Sequence, residues 1–304
     1  MLELKLRIWG LVLIAVLTGG LVAGQKRNAE MLASTEWLAK NAGKVVLLHV
    51  ATRREHYDAG HIPGAVFIAW GEITATRNGI PNELASVEQL QKVFTQTGVG
   101  DTKRIVIYGD LNGLAAARAF FTLDYLGHGE RVALLDGGLE KWKTEKREVS
   151  TTSAMLAPDE FTPRVNPRAV IALDAVRDVS WSAAKQRPAP VALIDARPGE
   201  EYAGTKPGEG ISRPGHLPGA VNVFWQNHFV SRESLALKPE NELRKLYEAA
   251  GLAANRPVAV YCRTGAQASH SYFILRYLGY QAMMYDGSFF EWSRQPDTPV
   301  AGGK

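Results

Sequence analysis

"PVAVYCRTGAQASHSYFILRYLGYQAMMYDGSFFEW", Pro257 to Trp292, opens with a short apolar run, breaks into a polar loop holding one glycine, and then returns to apolar residues at three- and four-residue steps. The same order stands earlier in the chain as "RIVIYGDLNGLAAARAFFTLDYLGHGERVALLDGGLEKW", Arg104 to Trp142. A short continuous apolar run bounded by turn residues suits a strand buried on both faces, and the longer period after it suits a helix. Strands alternating with helices in this way build a mostly parallel sheet flanked by helices.

Working outward, a second pair of segments repeats. "VVLLHVATRREHYDAGHIPGAVFIAW", Val45 to Trp70, matches "VALIDARPGEEYAGTKPGEGISRPGHLPGAVNVFW", Val191 to Trp225, through an apolar strand, a polar turn with a tyrosine, and a shared Gly-His-x-Pro-Gly-Ala-Val. The matched landmarks (His61 with His216, Tyr108 with Tyr261, Trp142 with Trp292) lie about 150 residues apart, which is the size of a domain and too long for a solenoid repeat. The chain is therefore expected to be two tandem copies of one α/β domain. "STTSAMLAPDEFTPRVNPR", residues 150–168, lacks apolar periodicity and reads as the linker between a first domain at 25–149 and a second at 169–304. Strands are expected at Val45 to Leu48, Ile105 to Tyr108, Val132 to Leu135, Val191 to Ile194 and Val258 to Tyr261. Helices are expected at Ser86 to Gln96, Leu114 to Leu126, Glu240 to Ala250 and Ala268 to Leu278.

The 304 residues hold 35 basic and 31 acidic side chains, a net charge of +4. With no concentrated Lys/Arg run, nucleic acid is not an expected partner. Residues 1–24 differ from the rest: Lys5 and Arg7 precede an apolar run from Ile8 to Ala23, with small residues before Gln25. That is the order of a secretory signal, and an uncleaved N-terminal anchor is the alternative. Either way the body is expected in the periplasm or otherwise outside the cytoplasm, with the membrane a partner only through this segment. The single cysteine forms no internal disulfide.

That cysteine, Cys262, directly follows a strand and opens the loop "CRTGAQ". Ligands of open α/β sheets sit beyond the carboxyl ends of the strands. Gly265 permits tight curvature, so the backbone N–H groups of Thr264, Gly265, Ala266 and Gln267 can surround a bound anion, with the positive end of a helix dipole behind them. A thiol of pKa about 8.5 falls to about 3.5 to 7.5 in such settings, so Cys262 is expected to be a nucleophilic thiolate at neutral pH. Arg263 strengthens the field and can bind an anionic substrate. Buried apolar filler is the bland reading of a lone cysteine, and the start of a polar loop is the wrong place for it. In the first copy Gly109 or Asp110 takes the place of Cys262, and "LLHVA" stands where the second copy has "LIDAR". The first copy lacks the chemistry and is expected to wall the active-site cleft or to serve stability. Asp195 and Arg197, two apart at a strand end, point the same way: Asp195 reads as structural support and Arg197 as a group that reaches the donor. His216 recurs as His61 in the copy without a thiol and so reads as serving the fold. Residues 204–215 are an insertion relative to the first copy, read as a mobile loop near the site or a plain surface loop. No metal-ligand cluster, nucleotide fingerprint or Ser/His/Asp set competes, and no cofactor or metal is expected.

"YCRTGAQAS", "DGSFFEW", "GHLPGAVN" and "LIDARPGEEY" together resemble the tandem-domain rhodaneses, the thiosulfate and 3-mercaptopyruvate sulfurtransferases, of the exported bacterial type. The resemblance covers nearly the whole chain after residue 24. It implies a ping-pong reaction in which the cysteine takes sulfur from a donor as a persulfide and passes it to cyanide or a thiol. It also implies that Arg263 after the cysteine favours thiosulfate over 3-mercaptopyruvate. Two cations common in thiosulfate users are missing, with Thr264 and Glu201 in their places, which weakens the expected grip on a dianion. A cysteine phosphatase would need an arginine at position 268, which is Ala268. A non-catalytic persulfide carrier or sensor at the cell envelope needs the same cysteine and stays open.

Overall fold

The computed structural model describes residues 28–302, so the expected signal at 1–24 lies outside the described residues. The first half runs β1 (Leu32–Ala33), α1 (Thr35–Asn41), β2 (Val45–Ala51), α2 (Arg54–Asp58), β3 (Val66–Ala69) and α3 (Trp70–Ile73). It continues through a hairpin of β4 (Thr74–Arg77) and β5 (Ile80–Leu84) to α4 (Val87–Gln96), β6 (Arg104–Gly109), α5 (Leu114–Tyr125), β7 (Val132–Leu135) and α6 (Gly138–Thr144). The second half runs α7 (Leu173–Ala184), β8 (Ala192–Asp195), α8 (Gly199–Ala203), β9 (Ala220–Asn222) and α9 (Glu240–Ala249). Then come β10 (Val258–Tyr261), α10 (Ala266–Tyr277), β11 (Ala282–Met284) and α11 (Ser288–Trp292).

Each half is one parallel sheet, ordered β1-β7-β6-β2-β3 in the first and β11-β10-β8-β9 in the second. Their central strands are buried along nearly their whole length because helices cover both faces, which is why they read as continuous apolar runs rather than as alternation. The duplication extends to single residues. His49 pairs with Tyr108 in the first sheet where Asp195 pairs with Tyr261 in the second. His61 stacks on Tyr57 at 3.7 Å and His216 on Tyr202 at 3.8 Å, and each ring binds the carbonyl of the tyrosine beneath it.

Three of the expected helices begin and end within one residue of their expected bounds. The fourth, α10, starts at Ala266, because Gly265 adopts a left-handed φ of 89° as its N-cap and lets the helix begin at the next residue. Serine 86 caps α4 by accepting from the Gln89 N–H at 3.2 Å. Helices α4 and α9 bury one face only, whereas nearly every residue of α5 and α10 is buried. A helix apolar on all sides needs cover on all sides, and these two cover each other across the boundary between the halves. Phe120 meets Phe273 edge to face at 5.0 Å, and Phe121 meets Tyr272 at 5.1 Å. Tyr272 donates to Asp124 at 2.5 Å and Arg276 pairs with the same carboxylate at 3.1 Å. One apolar cluster therefore spans both halves. Burial of each of these rings contributes roughly 1.5–3 kcal/mol, so the seam is a core rather than a contact.

The stretch read as a linker carries no helix or strand between Ser150 and Asn166, yet it is tied down. Ser150 pairs with His61, the Ala154 N–H donates to Tyr57 Oη at 2.9 Å, and Phe161 is buried against Phe94. Among the described residues no helix is long and apolar enough to cross a membrane.

Candidate active site

Cys262 sits one residue past the end of β10, with its side chain 1% exposed. Its own N–H donates to Ser288 Oγ at 3.2 Å, and its carbonyl accepts from the Phe289 N–H at 2.9 Å. Both ends of the residue are thus clamped to the start of α11. Ser288 itself takes a left-handed φ of 54° and donates onward to the Tyr285 carbonyl at 3.0 Å. The loop then curls back over the sulfur, and the Gly265 N–H donates to Sγ at 3.1 Å.

The N–H groups of Ala268, Thr264, Gly265 and Gln267 all favour negative charge on this sulfur, but burial pushes the Cys262 thiol up and outweighs them. Burial in this closed arrangement thus works against the thiolate expected at neutral pH. The cradle lowers the cost of an anion without supplying water to it.

Of the expected substrate-binding residues, Thr264, Gly265 and Gln267 turn their N–H groups to the sulfur, and Ala268, not singled out in the sequence, joins them where Ala266 was expected; the Gln267 Oε1 is buried without a hydrogen-bond partner. Arg263 is half-buried, held by its carbonyl accepting from the Phe290 N–H at 2.9 Å. Its side chain runs beneath Gly208, where a Cβ would stand 2.6 Å from its Cδ and 2.9 Å from both its Nη1 and the Glu201 Oε2. Arg263 and Glu201 so share the floor of the inserted loop. Burial raises the Glu201 carboxyl above its ordinary value, with Arg263 and Arg197 pulling the other way, and its Oε2 has no hydrogen-bond partner.

Arg197 is a correction. It does not reach toward a donor: its Nε and Nη2 engage both oxygens of Asp195 at 2.6–3.1 Å, and Nη2 also donates to the Gly215 carbonyl at 2.8 Å. The guanidinium lies 4.0 Å from the Phe289 ring centroid and is 1% exposed. A bidentate pair between buried partners occupies Nε and Nη2, so Asp195 and Arg197 brace the strand end behind the loop. The inserted segment 204–215 is a surface loop anchored near its end. Arg213 donates to the carbonyls of Trp292, Ser293, Gln295 and Thr298, which fastens the loop to the C-terminal end of α11.

The first half contributes what the sequence did not reveal. Asn82, on β5, donates to Thr264 Oγ1 at 3.2 Å, and the Leu84 N–H donates to Asp286 at 2.7 Å. Asp286 in turn holds Arg118 of α5, with contacts of 2.6 and 3.2 Å. Partners separated by 168 to 202 residues leave no local spacing to read.

In the first half the equivalent of Cys262 is Gly109, since Tyr108 and Tyr261 occupy the same register and each phenol oxygen accepts a backbone N–H, from Ile62 and Leu217. A Cβ at Gly109 would run into the Val50 carbonyl oxygen. The next residue, Asp110, accepts from Thr52 N and Oγ1 at 2.9 and 2.7 Å and contacts His56 Nδ1 at 2.8 Å, closing the loop upon itself. Among the described residues no group of three or more His, Cys, Asp or Glu is placed to hold a metal ion.

Comparison with known proteins agrees with this geometry. The model of the rhodanese-like domain matches residues 34–145 and again 178–295. The chain is 34% identical to the sulfur carrier protein TtuD of Thermus thermophilus, over 91% of this chain and 98% of that one. It is 32% identical to a Mycobacterium tuberculosis protein named "Putative thiosulfate sulfurtransferase", over 91% and 99%. Among solved structures, the 3-mercaptopyruvate sulfotransferase SseA of Escherichia coli superposes with a TM-score of 0.72 at 26% identity, covering 85% of this chain and 98% of that one. An anaerobic ergothioneine biosynthesis enzyme of Chlorobium limicola shares the fold, with a TM-score of 0.78 at 21% identity over 90% and 71%.

Proposed function

The chain belongs to the rhodanese-like family of sulfurtransferases, and from that premise we propose that it moves sulfane sulfur from thiosulfate through a persulfide on Cys262 to cyanide or a thiol. The observation that carries this reading is the ring of backbone N–H groups closing on Sγ at the end of β10. A donor entering the loop brings its own negative charge, which the same amides receive. Sγ attacks the outer sulfur of thiosulfate, and the proton of the Cys262 thiol goes to the departing sulfite, which leaves as hydrogen sulfite. The sulfur–sulfur bond of the donor breaks, and sulfite leaves with the bonding pair. The new S–S bond, about 2 Å long, carries the transferable sulfur outward as an anion among the N–H groups of Thr264, Gly265, Gln267 and Ala268. An acceptor such as cyanide then attacks the outer sulfur, thiocyanate leaves, and the Cys262 sulfur is restored.

Arg263 is the cation proposed to meet the donor, since Arg197 is committed to Asp195. Glu201 beside it favours a donor of lower negative charge, which keeps 3-mercaptopyruvate as the second reading. The test is sulfite release from thiosulfate with cyanide as acceptor, run beside pyruvate release from 3-mercaptopyruvate, on the full chain and on Cys262→Ser. Sulfite is expected from the wild-type chain and loss of essentially all turnover from the variant. Stable persulfide without turnover on either donor would replace the enzyme by a sulfur carrier.

A further inference from the structure

We propose that Arg118, carried by the first domain, is a positioning residue for the nucleophile loop of the second: it neutralises Asp286 directly behind Gly265, so that the loop can hold an anion at Cys262. The inference deepens the reading of Cys262 as a nucleophile and rests on it. A Cβ placed on Gly265 would lie 3.0 Å from Asp286 Oδ1 and 3.1 Å from Arg118 Nη1. The ion pair therefore backs the very residue whose N–H donates to Sγ. Arg118 is fully buried and Asp286 nearly so, at 0% and 12% side-chain exposure. An unpaired carboxylate at that distance would oppose any negative charge in the loop, by the ordinary repulsion of like charges in a poorly solvated site.

The internal duplication supplies the control. Gly113 and Gly265 are both left-handed N-caps, so α5 and α10 align and His270 stands where Arg118 stands. The backbone latch exists on both sides of the seam: Leu84 N–H donates to Asp286, and Leu237 N–H donates to Asp136 at 2.9 Å. The crossing cation does not. His270 faces His228, Nδ1 to Nδ1 at 3.2 Å, and Asp136 is answered by Lys141 of its own half at 3.0 Å. An interface that holds without the arginine on the side lacking a thiol does not need it for cohesion. The arginine crosses only to the side that carries the nucleophile.

Other charges face this region. Glu83 of β5, Glu291 of α11 and Arg77 of β4 surround Asp286 from the seam, while Arg263, Glu201 and the Asp195–Arg197 pair lie on the other side of Cys262. None but Arg118 pairs with Asp286.

The test is the rate of alkylation of Cys262 by iodoacetamide in the full-length chain, followed from about pH 6 to about pH 10, the span of ordinary thiol titration. As the only cysteine, Cys262 is the only thiol read. Arg118→Met should slow alkylation near neutral pH by about tenfold, as one unit of thiol pKa would. Asp286→Asn, which breaks the same ion pair, should speed it, because the cation is then uncompensated. The double variant should return toward wild type, and Arg118→Lys should stay near it. Shifts of the same sign in the two single variants, or a lowered thermal midpoint with an unmoved pH profile, would overturn the proposal and leave Arg118 a structural interface residue. Should Arg118→Met fail to fold, the sign for Asp286→Asn decides alone. No sulfur donor is present, so opposite shifts in a chain that releases no sulfite would reject the thiosulfate reading and keep this one.

Discussion

Two arginines near Cys262 look alike in sequence and differ in what surrounds them. Arg197 gives Nε and Nη2 to Asp195 and Nη2 also to the Gly215 carbonyl, inside the fold. Arg263 keeps a half-exposed side chain and makes no hydrogen bond through its guanidinium among the described residues. Removing one partner of a buried pair typically costs about 3–5 kcal/mol, because the other charge is stranded. Arg197→Met should therefore lower the thermal midpoint sharply. Arg263→Met should leave the midpoint in place and raise the KM for thiosulfate about tenfold, the effect of about 1.5 kcal/mol from one charge-assisted hydrogen bond. Thermal unfolding and steady-state kinetics on both variants separate the roles; a stable Arg197→Met with a raised KM would restore it as a donor-binding group.

At the scale of elements, the strands and helices that the sequence exposed are the buried ones. Val132–Leu135 and Val258–Tyr261 are apolar at every position because helices cover both sheet faces, so length and composition sufficed to find them. The β4–β5 hairpin was not legible: it is mostly half-exposed, carries Asn78 and Asn82 at left-handed φ, and owes its place to contacts with the other half. The Cys262 loop was legible because a glycine and polar residues follow a strand directly. Its supports from Asn82, Leu84 and Arg118 were not, since they arrive through the tertiary seam. The hairpin also sets a pH dependence. Burial, then Asp286 and Glu291, raise Glu83 from 4.5 to about 7. The folded chain thus binds this proton more tightly than the unfolded one. Its contribution to stability is full below the ordinary carboxylate range and is lost as pH rises through about 7. Glu83→Gln should flatten that part of the curve of thermal midpoint against pH; an unchanged slope would reject the assignment.

For the whole molecule, the mutual burial of α5 and α10 makes the two halves one cooperative body. Residues 169–304 alone would expose Tyr272 and Phe273 and strand Arg276 without Asp124. That piece should show no cooperative thermal transition and should aggregate, while the full chain unfolds in one step; a folded, alkylatable second half on its own would show the seam to be dispensable. The first half thus earns its retention through the surface it offers the second. Its own strand end tells the rest of the history. At Gly109 the backbone has closed toward Val50, so the space for any side chain is gone and Asp110 has sealed the loop with Thr52 and His56. A cysteine introduced at Gly109 would meet a carbonyl oxygen instead of a cradle. The closed strand end leaves the chain a single thiol-bearing loop, and the first copy is held to its shape along the face it presents to the second.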